Sequence, residues 1–218
     1  MESYYEKIKK IKEEKRTDFM KIFFKNKIIT LSIINDSEDT VKLLTRCRMA
    51  YRNWFGTDFE ISESKTKNWI NEGILKNNDR SLFTIFVDDQ KIGVIGTIRY
   101  DKKENSVALD AMMKDPNFIF PGLMETVEKV FLRWMFEELK VTKITGYLFQ
   151  DNKRMMHVHK KCGWKKVNEI PLKLTKTEEG TKWEKIHNNE KSERIFDEIE
   201  LVYKGLMRNF GDIKFEFT

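Results

Sequence analysis

The chain reads as an α/β protein with a mixed central sheet flanked by helices. Three observations predict this. Short β-branched runs alternate with stretches whose apolar residues recur at helical spacing, in the order β, α, α, β, β, β, α, β, α, β, β. The three middle strands are joined by short turns, so they form an antiparallel meander. A long helix then separates the third of them from the next strand. Such a connection crosses over to a parallel neighbour, which makes the sheet mixed.

Each element has its own signal. Tyr4, Ile8 and Ile11 mark one face of an amphipathic helix within a charged stretch reaching about residue 26, so residues 1–27 are expected to form an N-terminal helical extension. Ile28–Ile34 is a β-branched strand. Ser37 caps the next helix, with Glu38 and Asp39 in its first turn and Val41, Leu44, Cys47 and Met49 on a partly apolar face. This helix is expected to run into Tyr51–Phe55 and stop at Gly56. Ser62 opens another, with Trp69, Ile70 and Ile74 inward.

The meander is Leu82–Val87, Ile92–Tyr100 and Val107–Met113. After an irregular stretch from Asp115 to Gly122, a helix from about Leu123 to Leu139 keeps Val127, Val130, Phe131, Trp134 and Met135 on one face. Ile144–Phe149 is a strand, and Asn152–Cys162 a helix ended by Gly163. Trp164–Leu174 and Thr181–Ile186 form a final hairpin, which leaves residues 188–218 as a C-terminal extension.

Composition excludes several classes. Aromatic residues make up 12 % of the 218, far too much buriable surface for a disordered chain. Ten Gly and three Pro exclude collagen-like and low-complexity sequences. Cys47 and Cys162 are too few for a disulfide framework or a zinc site, so no metal is expected and a reduced, cytoplasmic setting fits. The opening residues MESYYEKIKKIKEEKR lack the apolar core of a signal peptide, and no run is long and apolar enough for a membrane span. The net charge of +6 comes from 41 basic and 35 acidic residues interleaved almost everywhere, which argues against a nucleic-acid partner.

The segment Asn152-Lys153-Arg154-Met155-Met156-His157-Val158-His159-Lys160-Lys161-Cys162-Gly163-Trp164 resembles the N-x-x-A-x-x-L-Y-x-K-x-G-F motif of the GNAT superfamily of N-acyltransferases. Asn152, Lys161, Gly163 and an aromatic at Trp164 fall in register; Met155, Val158 and His159 stand for Ala, Leu and Tyr. Ile92–Ile98 is similar to the glycine-bearing strand before the family's catalytic strand, and the element order agrees.

The resemblance implies a GNAT-like domain over residues 28–187. Its sheet would splay between Val107–Met113 and Ile144–Phe149 to admit the arm of an acyl-coenzyme A co-substrate. Main-chain donors at Met112 and Met113 would hold the thioester and the oxyanion formed on it. The pyrophosphate would lie on the helix N-terminus at Phe120, Gly122, Leu123 and Met124, where unpaired N–H groups favour anions. The family loop R/Q-x-x-G-x-G/A keeps only Gly122 here, with Ile119 at its first position and Met124 at its last; a plain strand-to-helix turn fits the same residues. Asn152 and Lys161 belong to the implied cofactor contacts, with Lys153 and Arg154 as further phosphate candidates.

His159 stands where a Tyr protonates the departing thiolate in many family members, and an imidazole can do the same work. It could equally pack beneath the sheet, while His157 falls on a different face and is read as surface. Asp110 is the only carboxylate inside its strand. Strict alternation groups it with Met112, opposite Ala111 and Met113. It sits one residue from the family's usual acid, an offset that a bulge absorbs, and either a base role or a buried pairing accounts for it.

Arg48, Arg52, Trp54 and Trp69, with Phe55 beside them, are the candidate acceptor-binding residues. Arg grips phosphate and an aromatic ring stacks on a base. Together with Gly96-Thr97-Ile98-Arg99-Tyr100 they resemble GNAT members that acylate nucleotide-linked amino sugars in surface-polysaccharide synthesis. The implied acceptor is a dTDP-3-amino-3,6-dideoxyhexose, and the implied donor group acetyl or a hydroxyacyl such as 3-hydroxybutanoyl. The other reading is acylation of a protein N-terminus, a polyamine or a small antibiotic amine. Acidic pocket residues would favour a polyamine, whereas Arg and Trp disfavour it. A homodimer contact is one use for residues 188–218.

Overall fold

A computed structural model describes residues 3–178, 180–186 and 191–218. Helix α1 (Tyr4–Glu13) opens with a capping box in which Ser3 and Glu6 satisfy each other's backbone N–H groups. It buries Tyr4, Ile8 and Ile11 as expected but stops well short of residue 26. Met20–Phe24 instead forms strand β1 beside β2 (Lys27–Ile33). Met20 and Ile22 are buried on either side of Lys21, a period of two that the surrounding charges obscure.

Helix α2 (Glu38–Ala50) gives way to a 3-10 turn at Arg52–Trp54 and a two-residue strand β3 (Thr57–Asp58). Ser37 precedes α2 without capping it, since its hydroxyl bonds to Thr40 instead. Met49 lies on the outer face, 58 % exposed, because Leu44, Cys47 and Arg48 take the inner one. Helix α3 (Glu63–Asn68), capped by Ser62, widens into a π-helical stretch at Trp69–Leu75. The meander is β4 (Arg80–Val87), β5 (Gln90–Asp101) and β6 (Ser106–Lys114). Then come α4 (Leu123–Glu137), β7 (Lys143–Phe149), α5 (Lys153–Cys162), β8 (Lys165–Thr177) and β9 (Gly180–Lys185).

The C-terminal stretch lies inside the sheet. β10 (Arg194–Val202) inserts antiparallel between β7 and β8, α6 (Tyr203–Asn209) packs on α4, and β11 (Lys214–Phe217) pairs with β1. A boundary at 187/188 falls outside the described residues. The strand order is β11-β1-β2-β4-β5-β6-β7-β10-β8-β9-β3, and among the described residues only β6 and β7 pair in parallel.

One face of the sheet carries α1, α4, α5 and α6 over a large core in which Phe19, Phe83, Phe131 and Trp134 interlock. The other carries α2 and α3 over a smaller core that includes Leu44, Ile70, Ile74, Val94 and Met113. No helix among the described residues is long and apolar enough to cross a membrane.

Lys12 joins α1 to the π-helical stretch and to β4. Its ammonium donates to the carbonyls of Ile74, Asn77 and Arg80 at 2.6, 2.5 and 2.6 Å, gathering the end of the π-helical stretch and the start of β4. Lys12→Met leaves three carbonyls without this donor. The expected loss is about 2–3 kcal/mol, seen as a lower urea midpoint at unchanged slope.

Candidate active site

β6 and β7 pair only from Ser106 to Ala108 against Lys143 to Thr145. Beyond that, β6 pairs only with β5 and β7 only with β10, so the sheet opens into a V. The edge of β6 from Leu109 to Lys114 has no strand partner on that side. A bulge falls in this free stretch. Val94 pairs with Met113 and Gly96 with Asp110, so Ala111 and Met112 together stand opposite Ile95, and Ala111 takes a φ of 47°. The bulge overturns strict alternation. Met112 packs into the large core, whereas Ala111 and Met113 join the small core on the face where Asp110 meets Arg80. It also takes the backbone of Ala111 and Met112 out of the ladder, next to Met113, as a cradle for a carbonyl oxygen requires.

α4 begins at the mouth of this V. Gly122 has φ 85°, and its carbonyl accepts from the N–H and hydroxyl of Thr126 at 3.0 and 3.1 Å. Leu123 is buried, Met124 is partly buried, and Phe120 packs against Phe24, so these side chains anchor the helix and only first-turn main chain is left to face an anion. Ile119 is 87 % exposed. Lys161 is paired with Glu125 at 3.1 Å, and the side chain of Asn152 accepts from the N–H of Met155 at 3.2 Å. Both are therefore committed within the fold. Lys114 and Arg154 stand near each other at the open end, where burial and the charge of Arg154 lower the pKa of Lys114. Arg154 makes no ion pair among the described residues.

On the α2/α3 face a ladder of rings and guanidinium groups leads to β6. Phe55 stacks on Phe59 at 6.0 Å; the Arg48 guanidinium lies 4.7 Å from the Phe59 ring and 4.7 Å from that of Trp69. The Arg80 guanidinium lies 4.9 Å from Trp69 and bonds to Asp110 at 2.6 Å. Gly73, one turn on in the π-helical stretch, lets the Trp69 ring lie against the backbone: a Cβ there would sit 3.0 Å from its Cδ1.

Arg48 is the unusual member. It is only 6 % exposed, yet its one hydrogen bond goes to the Thr66 hydroxyl at 3.0 Å, and no carboxylate among the described residues pairs with it. Burial and the nearby charge of Arg80 lower its pKa to about 10. Asp110 is engaged by Arg80 in a partly buried ion pair. The structure thus places Trp69 and Arg48 side by side.

Arg52 and Trp54 do not join them. Arg52 is exposed and paired with Asp58. Trp54 is 39 % exposed and lies 5.4 Å from the Arg194 guanidinium. Arg194 also donates to Asp151 and to the Asn53 carbonyl, fastening β10 to the turn after α2. The 3-10 turn accounts for both positions, because α2 ends at Ala50 and does not continue into Tyr51–Phe55 as the sequence suggested.

His159 is 7 % exposed, with Nδ1 2.6 Å from Oε1 of Glu128. Glu128 is fully buried and accepts a second bond, from Trp164 Nε1 at 2.7 Å, on the same oxygen; its Oε2 has no hydrogen-bond partner among the described residues. His157 is exposed. Sequence reasoning missed Phe59, Thr66, Arg80 and Glu128. Only Glu128 had a visible signal, as a carboxylate three, four and seven residues before Phe131, Leu132 and Met135 on a buried helical stripe.

A family model for the acetyltransferase (GNAT) domain matches residues 29–165. The chain belongs to the GNAT acetyltransferase family. Members of this family use acetyl-coenzyme A as co-substrate, and the V between β6 and β7, its bulge and the start of α4 fit such a molecule. Among solved structures, spermidine N-acetyltransferase from Vibrio cholerae in complex with CoA and spermine is similar in fold. Its TM-score is 0.64 at 13 % identity, over 82 % of this chain and 98 % of that one. A dodecameric structure of that enzyme gives 0.58 at 13 % identity, over 80 % and 93 %. Acetyltransferase PseH of Campylobacter jejuni is 27 % identical over 84 residues, which span 38 % of this chain and 50 % of that protein.

Proposed function

We propose that this GNAT enzyme transfers a small acyl group from acyl-coenzyme A to the amine of an acceptor that also carries an anion. The class that fits is a nucleotide-linked amino sugar such as a dTDP-3-amino-3,6-dideoxyhexose of surface-polysaccharide synthesis. The observation that carries this reading is Arg48. A guanidinium buried without a counter-ion among the described residues is costly, and an anionic ligand supplies one. Trp69 and Phe59, already stacked on it, offer ring faces for a base or sugar.

In this mechanism the free amine attacks the thioester carbon in a ternary complex. Main-chain donors at the Ala111–Met113 bulge hold the oxyanion, the C–S bond breaks, and His159 protonates the thiolate. The start of α4, with Lys114 and Arg154, takes the pyrophosphate. Asp110 serves by holding Arg80 rather than as a free base.

A polyamine acceptor is the second reading. Five carboxylates, Asp79, Asp101 and Glu198 among them, outnumber by one the Lys and Arg residues lining a groove at the other end of β6 and β7 and favour it, as does the fold likeness to spermidine N-acetyltransferase. A thiol-release assay pairing acetyl- and 3-hydroxybutanoyl-CoA with amino-sugar nucleotides, spermidine and peptides separates the two. Turnover is expected with the nucleotide sugars. Turnover with spermidine alone overturns the anionic-acceptor reading, and no turnover with any thioester overturns both.

A further inference from the structure

We infer that Glu128 is a positioning residue for the acyl-transfer step: it locks the His159 ring by taking its Nδ1–H, so that Nε2 is the nitrogen left to protonate the leaving thiolate. This rests on the reading of His159 as proton donor, and adds to it a residue from a different helix.

The geometry is specific. Glu128 projects from α4 and His159 from α5, and the 2.6 Å contact between them is buried on both sides. Trp164, just after Gly163, fixes the same carboxylate oxygen from a third direction and lies 5.5 Å from the imidazole, at an interplanar angle of 61°. Nε2 makes no hydrogen bond among the described residues. The neighbouring charges are spoken for: Lys129 and Lys161 both pair with Glu125, at 2.9 and 3.1 Å. The remaining titratable neighbour is Cys162, whose thiol burial and the charge of Glu128 push strongly toward the neutral form. Among the described residues, His159 is therefore the titratable group positioned to pair with Glu128.

Packing alone does not call for this arrangement. A carboxylate in the middle of an apolar helix face is expensive to bury, and an apolar side chain would serve packing better. A carboxylate behind an imidazole instead selects one tautomer and stabilises the imidazolium.

The proton balance closes. The imidazolium gives its Nε2 proton to the coenzyme A thiolate as the C–S bond breaks. What remains is a neutral ring whose Nδ1–H still bonds to an ionised Glu128. The ring recovers its proton from solvent or from the attacking nitrogen, which loses one proton as it becomes the amide.

The test compares the pH dependence of kcat for the wild-type enzyme, Glu128→Gln, Glu128→Asp and His159→Phe, with thermal melts alongside. Glu128→Gln is expected to lower kcat roughly 10- to 100-fold at neutral pH while KM for acyl-CoA changes less than about twofold. Its alkaline limb should differ from that of the wild-type enzyme, because the ring loses its charged partner at Nδ1. Glu128→Asp should restore part of that limb.

Each failure has its own signature. An unchanged kcat in His159→Phe overturns the proton-donor reading, and the role of Glu128 with it. A large loss in His159→Phe beside a wild-type pH profile in Glu128→Gln overturns the positioning role alone. If the Glu128 variants fail to fold, nitrogen NMR of the wild-type ring decides: protonated Nδ1 in the neutral ring is expected, and an Nε2–H tautomer overturns the proposal.

Discussion

Arg48→Met is expected to raise KM for an anionic acceptor about a hundredfold, leave KM for acyl-CoA within about twofold, and hold or raise the melting temperature. The combination is diagnostic because the two effects come from the same fact. In the free protein, Arg48 is a buried cation whose one hydrogen bond among the described residues goes to a neutral hydroxyl. Two rings at 4.7 Å offset part of its desolvation, about 0.5–2 kcal/mol each, and the like charge of Arg80 opposes it. Methionine fills a similar volume without a charge, so stability does not suffer. In the complex, the same guanidinium exchanges little water for a phosphate it can grip with two donors, and losing a charge-assisted pair of this kind costs about 2–3 kcal/mol, or one to two decades in affinity.

A polyamine acceptor predicts the opposite sign, since removing a cation from the pocket wall would lower KM. Steady-state kinetics on each acceptor, with a melting curve for each protein, read all three quantities. Arg80→Met is not an equivalent test. It strips Asp110 of its partner, so the pocket gains a free carboxylate at the moment it loses a cation.

What the sequence revealed depended on whether a residue's partner was close along the chain. Periodicity located the meander, α4 and the end of α5 at Gly163, because those signals are local. The terminal strands escaped. β1 is five residues inside a charged stretch, and β10 becomes a central strand only through pairing with β7 and β8, which no local pattern announces. The same division holds in the site. Asp110 and His159 stood out as polar residues in apolar settings, but their partners Arg80 and Glu128 lie 30 and 31 positions away and were invisible as partners. The bulge at Ala111 was foreseen only as a way to absorb a register offset, and its effect on which faces Met112 and Met113 occupy needed coordinates.

Gly93→Ala is expected to lower kcat about a hundredfold and to destabilise the fold by about 1–3 kcal/mol or more, although the added group is a single methyl. Gly93 lies on β5 opposite Lys114, past the bulge. A Cβ there would sit 2.3 Å from the Met113 carbonyl oxygen and 3.0 Å from the Lys114 Cα. Both are backbone atoms, so no rotamer change relieves the contact. One strand has to move. β5 is held by β4 across most of its length, whereas the stretch of β6 beyond Ala108 is held on one side only. The displacement therefore falls on Met112 and Met113, the segment proposed to hold the thioester. An error of about 1 Å in that position is enough to cost two decades in rate.

Gly205→Ala makes the matched control. Gly205 lies within α6 (Tyr203–Asn209), and a Cβ on it would meet nothing closer than 3.4 Å. Alanine in a helix is favoured over glycine by about 0.5–1 kcal/mol, so this variant should be as stable as the parent or more so, with unchanged kcat. If Gly93→Ala lost stability yet kept the parent's kcat, the position of the β6 bulge would not govern the chemical step, and the oxyanion would have to be held elsewhere in the V.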